Sequence, residues 1–121
     1  KGQRPSLEIE TISIDKYVEG KRVDLIKMDI QGAELLALQG MQKTIRLNPD
    51  VIIISEFSPH LLERCGARPS DYLDAIEMVG LKFDIINEKT KGLEPINKTD
   101  LLARCSESRY ENLLLKHLRI K

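Results

Sequence analysis

The sequence predicts a single α/β domain whose core is a mostly parallel, doubly wound sheet with an antiparallel edge strand. Three observations predict this class. Segments with strand-like and helix-like repeats alternate along most of the chain, which is the pattern that parallel sheets with crossover helices produce. The run VIIISEF, residues 51–57, is apolar without interruption up to its serine, as in a strand that is covered on both faces. With 121 residues, the chain has room for one domain with a substantial core.

The first third of the chain predicts two strands with a short helix between them. Residues 7–14 carry alternating apolar side chains with one slip near Thr11, which is typical of an extended segment with a bend. Asp15 is placed to cap a short helix that Gly20 ends. Residues 23–30 are apolar, include β-branched side chains and are short enough for a buried strand.

The middle of the chain predicts two helices and one strand in addition to the strands at residues 23–30 and 51–57. Residues 33–46 have apolar side chains near helical spacing, and an Asn-Pro pair stops that helix. A second helix is predicted at residues 70–79, with Ser70 as its N-cap. Residues 81–86 form the strand that follows it.

The last part of the chain predicts a short helix and a closing strand. Thr99 is the expected N-cap of the helix, and residues 111–120 are the expected strand. Since this strand comes next after the one at residues 81–86, we expect the two to lie side by side and to form the antiparallel edge of the sheet.

Composition and charge exclude several classes of function. Lysine and arginine number 19, as do aspartate and glutamate, so the formal net charge is zero and a nucleic acid partner is not expected. No apolar run approaches the roughly 20 residues that span a bilayer, so we expect no membrane partner. Residues 1–6 lack the apolar core of a signal peptide. Cys65 and Cys105 stand far apart and outside any CxxC pattern, which favours reduced thiols and a cytoplasmic protein.

Polar and small residues stand at the carboxyl ends of two predicted strands. Four of them lie where the strand at residues 23–30 gives way to a helix, and the fifth lies at the matching end of residues 51–57. They are Asp29, Gln31, Gly32, Glu34 and Glu56. In open α/β sheets, ligands bind outside the carboxyl ends of the strands, so we expect these residues to converge on one rim of the sheet.

Each of these residues also has a purely structural interpretation. Gly32 suits a tight strand-to-helix turn that involves no ligand. Glu34 in the first turn of a helix interacts favourably with the helix dipole. Glu56 is either a rim residue or the partner of a basic neighbour. His60 is the one further candidate for a base, and it is also typical of a surface or capping histidine.

The segment VDLIKMDIQGAELLALQGM, residues 23–41, resembles the signature of FkbM-type methyltransferases. The family motif is an apolar strand followed by Lys, Asp, Gly and Glu before a helix with a Leu-x-Gly. The matching residues here are Lys27, Asp29, Gly32, Ala33, Glu34, Leu38 and Gly40. The flanking segments are also similar to the family over nearly the whole chain. The resemblance implies a class I, Rossmann-like fold and S-adenosylmethionine-dependent transfer of a methyl group, usually to a hydroxyl of a sugar or secondary metabolite.

The resemblance also implies roles for the rim residues. The candidates for contact with the cofactor are Asp29, Gln31, Gly32 and Glu34. The candidates for orienting the acceptor hydroxyl or receiving its proton are Asp29, Glu56 and His60. The small-molecule acceptor would meet variable loops at residues 58–70 and 87–98. A divalent cation such as Mg²⁺ takes oxygen ligands, but two carboxylates alone do not define a site, so we assign no metal ligand.

Two departures from the family pattern limit this inference. Gln31 stands where many family members have Glu, although an amide still orients a ligand by hydrogen bonding. The seven glycines include no GxG, whereas the family holds its cofactor mainly through a glycine-rich turn after the first strand. We therefore expect residues 1–121 to be the carboxyl-terminal part of a larger methyltransferase domain. Alone, this part would bind S-adenosylmethionine weakly and would pair through its exposed sheet with a second copy or an upstream domain.

Two other functions stay open. One is a non-catalytic α/β half-domain that acts as an interaction or dimerisation module. The other is a receiver-like phosphoacceptor domain, although residues 6–15 lack the early acidic pair that receivers carry. A strand ending in a glycine-rich turn immediately upstream would favour the enzyme.

Overall fold

The computed structural model describes residues 5–119 as one five-stranded sheet with six helices. In chain order the elements are α1 (Ile14–Val18), β1 (Leu25–Met28), α2 (Glu34–Gln39), α3 (Gln42–Leu47), β2 (Ile52–Phe57), α4 (Pro59–Arg64), α5 (Pro69–Met78), β3 (Leu81–Asn87), β4 (Gly92–Pro95), α6 (Lys98–Arg104) and β5 (Glu111–His117). None of these helices has the length and apolar character needed to cross a membrane.

The strands lie in the order β1-β2-β5-β3-β4. β1 and β2 are parallel neighbours, as predicted for the strands at residues 23–30 and 51–57. β5 is antiparallel to both β2 and β3, and β4 is antiparallel to β3. The prediction of a mostly parallel sheet is therefore wrong. The reason is that the final strand enters the middle of the sheet, where one reversed strand creates two antiparallel pairs.

The predicted antiparallel edge strand exists, but β4 occupies that place instead of the final strand. β4 lies within the segment that was predicted as a loop. The Asn87 side chain accepts hydrogen bonds from the backbone N–H groups of Lys89 and Thr90, and Lys91 has a φ of 60°, which together close a tight hairpin. Pro95 at the end of β4 is compatible with an edge strand because one side of that strand makes no ladder hydrogen bonds.

The helices cover one face of the sheet. Buried side chains at alternate strand positions, such as Ile53, Phe83 and Leu115, share one core with buried residues from α2 to α6. On the other face, Leu25 is 60% exposed and Ile52 is 38% exposed. Two further expectations are thus wrong within residues 5–119: the sheet is not doubly wound, and residues 51–57 are not covered on both faces.

The connection between β1 and β2 is made by two short helices in place of the single helix predicted at residues 33–46. The break falls at Gly40 and Met41, where α1 packs close. A Cβ on Gly40 would lie 3.2 Å from the Ser13 Cβ, and the Gly40 carbonyl accepts a hydrogen bond from the Asp15 backbone N–H. Gly40 therefore permits a close contact between α1 and the crossover.

Asp15 caps α3 and does not cap its own helix. Its carboxylate accepts hydrogen bonds from the backbone N–H groups of Lys43 and Thr44 and from the Thr44 hydroxyl, at 2.7–3.1 Å. Although partial burial opposes the shift, these hydrogen bonds lower the pKa of Asp15. The N-cap of α1 is Ser13 instead. A cap supplied from nearly thirty residues away joins α1 to the crossover between β1 and β2.

Three more predictions about individual segments are wrong. Residues 7–13 form no strand, because no neighbouring strand pairs with them within residues 5–119. α5 begins at Pro69, one residue before the predicted cap, since proline is favoured in the first helical turn. α6 is capped by Asn97 in place of Thr99.

Candidate functional site

The acids at the ends of β1 and β2 lie on the same rim of the sheet. Met28 is paired with Ser55 in the parallel ladder, and Asp29 and Glu56 are the next residue on each strand. Adjacent strands are about 4.8 Å apart, so the two carboxylates are close neighbours. This placement agrees with the expectation that the carboxyl ends of these strands carry converging acids.

Three carboxylates form one electrostatic cluster at this rim. The pKa of Glu56 is raised, first by its partial burial and then by the negative charges of Asp29 and Glu34. Asp29 is exposed, Glu56 is half-buried and Glu34 is buried, so the cluster runs from the solvent into the core. Such a cluster attracts cationic groups and accepts hydrogen bonds from hydroxyls.

Glu34 supports the turn after β1. It is only 2% exposed, and its Oε2 accepts a hydrogen bond from the Gly32 backbone N–H at 3.3 Å. As predicted, it also lies in the first turn of a helix, where a carboxylate is favoured. Glu34 is thus buried behind the turn that it holds, whereas Asp29 and Gln31 are exposed at the surface.

Gly32 is required by the shape of that turn. Its φ is +106°, and the preceding Gln31 has a φ of 57°. A Cβ at Gly32 would lie 2.2 Å from the Leu61 carbonyl oxygen, far inside any allowed contact. The turn therefore packs directly against the backbone of α4, and Gly32 fixes where Asp29 and Gln31 stand on the rim.

A hydrogen-bonded pair behind the rim was missed from the sequence. The Ser55 hydroxyl lies 2.6 Å from the Tyr72 hydroxyl, and both side chains are completely buried between β2 and α5. Burial raises the pKa of Tyr72; the Ser55 hydrogen bond opposes this shift and the charge of Glu34 adds to it. The signal in the sequence was a lone serine after the isoleucines of β2, but it did not indicate its partner.

α4 was also missed, because residues 58–70 were predicted as a variable loop. Ser58 accepts a hydrogen bond from the Leu61 N–H and Pro59 stands in the first turn, so the Ser-Pro pair was a usable signal. His60 is exposed in this first turn, just beyond the end of β2. Cys65 follows α4, and its thiol lies 3.6 Å from the Gln31 carbonyl oxygen.

The rim offers no ready metal centre in the part of the chain that the structure describes. Residues 5–119 contain no group of three or more His, Cys, Asp or Glu side chains arranged to hold an ion. The three carboxylates can accept hydrogen bonds, attract cationic groups and accept protons.

Comparison with known protein families matches this chain to a methyltransferase family. A family model described as "Methyltransferase FkbM domain" matches residues 3–84. The matched span includes α1, β1, the turn with Asp29 and Gly32, β2 with Glu56, and most of β3. Comparisons with curated proteins and with solved structures gave no match.

Proposed function

The chain belongs to the FkbM methyltransferase domain family, and from that membership we propose that its acidic rim serves S-adenosylmethionine-dependent methyl transfer to a hydroxyl. The observation that carries the proposal is the convergence of Asp29, Glu34 and Glu56 on one rim. The matched family span covers all three acids.

The chemistry of the rim fits this cofactor. When bound, S-adenosylmethionine supplies a methyl group on a positively charged sulfur, and it also carries an ammonium group and ribose hydroxyls. Asp29 and Gln31 are exposed and would contact these groups, since a carboxylate attracts cations and both side chains accept hydrogen bonds. Gly32 and Glu34 would hold the turn that presents them.

Glu56 is the proposed base. Its pKa is raised towards neutral pH, which makes the carboxylate a stronger proton acceptor than that of an ordinary glutamate. Asp29 would orient the acceptor hydroxyl from the neighbouring strand end. His60, exposed on the adjacent helix, is the other candidate for this proton.

The open face of the sheet supports a further proposal about the domain. Leu25 and Ile52 are exposed on that face, and β1 makes ladder hydrogen bonds only with β2 within residues 5–119. We propose that residues 1–121 form part of a larger class I, Rossmann-like methyltransferase domain. The remaining part of that domain would cover this face of the sheet and contribute to cofactor binding.

A calorimetric titration with S-adenosylmethionine tests the assignment of the cofactor site. We expect weak binding by residues 1–121, and we expect Asp29→Asn to weaken it further. Asp24→Asn is the matched control, because Asp24 is an exposed aspartate just before the opposite end of β1. Equal binding by the two variants contradicts the assignment of the rim. Micromolar binding by a monomer contradicts the proposal that a further part of the domain is needed.

The second candidate function is an interaction or dimerisation module without catalysis. The partly exposed face and the free β1 edge favour it, since such surfaces pair with other chains. Sedimentation analysis of the wild type and of Leu25→Lys, together with the calorimetric titration, distinguishes the two candidates. Self-association that Leu25→Lys abolishes, in a chain that binds no S-adenosylmethionine, would favour the module.

A further inference from the structure

A cleft opens at the edge of the sheet opposite Asp29 and Glu56. It has a volume of about 400 Å³, within the range of about 300–1,000 Å³ that is typical of small-molecule sites. Its walls are the turn before β2, the beginning of β3 and the end of β5. Because β5 is antiparallel to β2 and β3, its last residues lie beside the first residues of both strands. The cleft is therefore separate from the acidic rim.

Two lysines of the cleft form a direct cross-strand pair. Lys82 on β3 is the register partner of Lys116 on β5, so the two side chains leave the same face of the sheet with Cβ atoms about 4.5–5.5 Å apart. Like charges in this position destabilise a sheet. The Lys82 Nζ lies 3.7 Å from the Asp84 carboxylate, whereas Lys116 takes part in none of the ion pairs within residues 5–119. An anion between the two ammonium groups would offset their repulsion.

The other charged groups of the lining leave the cleft cationic. Arg119 pairs with Asp50, so these two side chains together contribute no net charge. The His117 Nε2 donates a hydrogen bond to a backbone carbonyl of α3 at 2.9 Å, so this nitrogen is already occupied. Lys82 and Lys116 therefore give the lining a net positive charge, although the formal net charge of the whole chain is zero.

A phosphate monoester matches this arrangement of donors. Each lysine ammonium group carries three N–H donors and no acceptor. A phosphate monoester carries a charge of about −1.5 to −2 near pH 7 and three strong acceptor oxygens. One phosphate can therefore accept hydrogen bonds from Lys82 and Lys116 at once, whereas a carboxylate brings one charge and two oxygens. Lysine is a common phosphate-binding residue that acts as a point charge.

The cleft also has an apolar wall. Leu118 is 60% exposed, and Ile52, the first residue of β2, is 38% exposed; both line the cleft together with Lys116. Covering such surface favours binding in proportion to the apolar area that is removed from water. The wall therefore favours a phosphate that is attached to an organic group over inorganic phosphate.

We propose that this cleft binds an organic phosphate monoester, with the phosphate between Lys82 and Lys116 and the organic group against Ile52 and Leu118. Ile52 and Glu56 stand at opposite ends of β2, about 13 Å apart along the strand. The cleft is thus a second ligand site, and binding there does not depend on the function proposed for the acidic rim.

The test is an NMR titration of the ¹⁵N-labelled chain with phenyl phosphate, with inorganic phosphate and phenol as the comparisons. The ionic strength is held constant because salt screens exposed charges. We expect phenyl phosphate to shift the amide resonances of residues 50–52, 82 and 116–119, and to bind more tightly than either comparison. Lys116→Gln and Lys82→Gln should each weaken this binding by about tenfold. Lys116→Arg keeps the positive charge and should retain most of the affinity.

Lys89→Gln is the matched control, because Lys89 is an exposed lysine in the turn between β3 and β4, at the other edge of the sheet. Lys116→Gln should be no less stable to urea than the wild type, since it removes a like-charge contact, so a loss of binding would not reflect unfolding.

Three outcomes would overturn the proposal: phenyl phosphate shifts no resonance of the cleft, inorganic phosphate or phenol binds as tightly as phenyl phosphate, or Lys116→Gln and Lys89→Gln change the affinity equally. The samples contain no S-adenosylmethionine, so the result is independent of the test of methyl transfer.

Discussion

Replacement of Gly32 by alanine should destabilise the protein strongly, because two separate costs coincide there. A φ of +106° is strained for any residue with a Cβ, at a cost of about 1–3 kcal/mol. The added Cβ would also lie 2.2 Å from the Leu61 carbonyl oxygen, so the turn and α4 must move apart. Overpacking of this kind costs about 1–3 kcal/mol, and the reduced entropy of the unfolded chain returns about 0.4–1 kcal/mol. The expected loss in the free energy of unfolding is about 3 kcal/mol.

Gly80→Ala is the matched control for this prediction. Gly80 has a similar positive φ of +87°, but no atom lies within 4 Å of an added Cβ. Its substitution carries only the backbone term, so we expect a loss of about 1 kcal/mol. Urea denaturation of the two variants and the wild type measures the difference. If Gly32→Ala and Gly80→Ala destabilise equally, the contact between the turn and α4 does not determine the conformation of the rim.

Three further predictions concern groups around the rim and the crossover. Asp15→Ala should cost about 1–2 kcal/mol of unfolding free energy in urea at pH 7. Because the folded pKa of Asp15 is lowered, its contribution is present above the unfolded value near 3.8, and the difference from wild type should shrink as the pH falls through the folded pKa. The pKa of Glu56 is raised in the folded protein, so its ionised carboxylate destabilises the fold at pH 7. Glu56→Gln should therefore stabilise the protein at pH 7 by less than about 1 kcal/mol, and this effect should disappear in acid. Carboxyl NMR should also show that Asp29→Asn lowers the pKa of Glu56. Tyr72→Phe should cost about 1 kcal/mol, and a double-mutant cycle with Ser55→Ala should assign most of that cost to their hydrogen bond.

The parallel pair of β1 and β2 was predictable because its evidence is local. Each strand has its own apolar run, and the helical segment between them requires a crossover. The same rule placed Asp29 and Glu56 on one rim. The turn at Gly32 was predictable for a similar reason, since a glycine between a strand and a helix indicates positive φ. What the sequence did not indicate was the carbonyl of Leu61 against which that glycine packs.

The lateral order of the strands was not predictable from side-chain patterns. The closing strand was predicted at residues 111–120, and β5 occupies 111–117, but side chains above and below a strand do not identify its neighbours in the sheet. The buried Ser55–Tyr72 pair escaped for a related reason, because its two residues meet only after α5 has packed on β2. β4 escaped because an exposed segment ending in proline has a composition typical of a loop.

The central place of β5 has a consequence for how this protein forms during synthesis. β2 and β3 have no hydrogen bonds to each other, so the two parts of the sheet remain separate until residues 111–117 have left the ribosome. Roughly two dozen residues separate the end of β3 from the beginning of β5. Translation of this segment takes about 1–5 seconds at typical rates. During this interval the nascent chain exposes the edges of β2 and β3 that β5 later covers. A chaperone or a pause in translation just before Glu111 would therefore change the yield of folded protein more than the same event near β1.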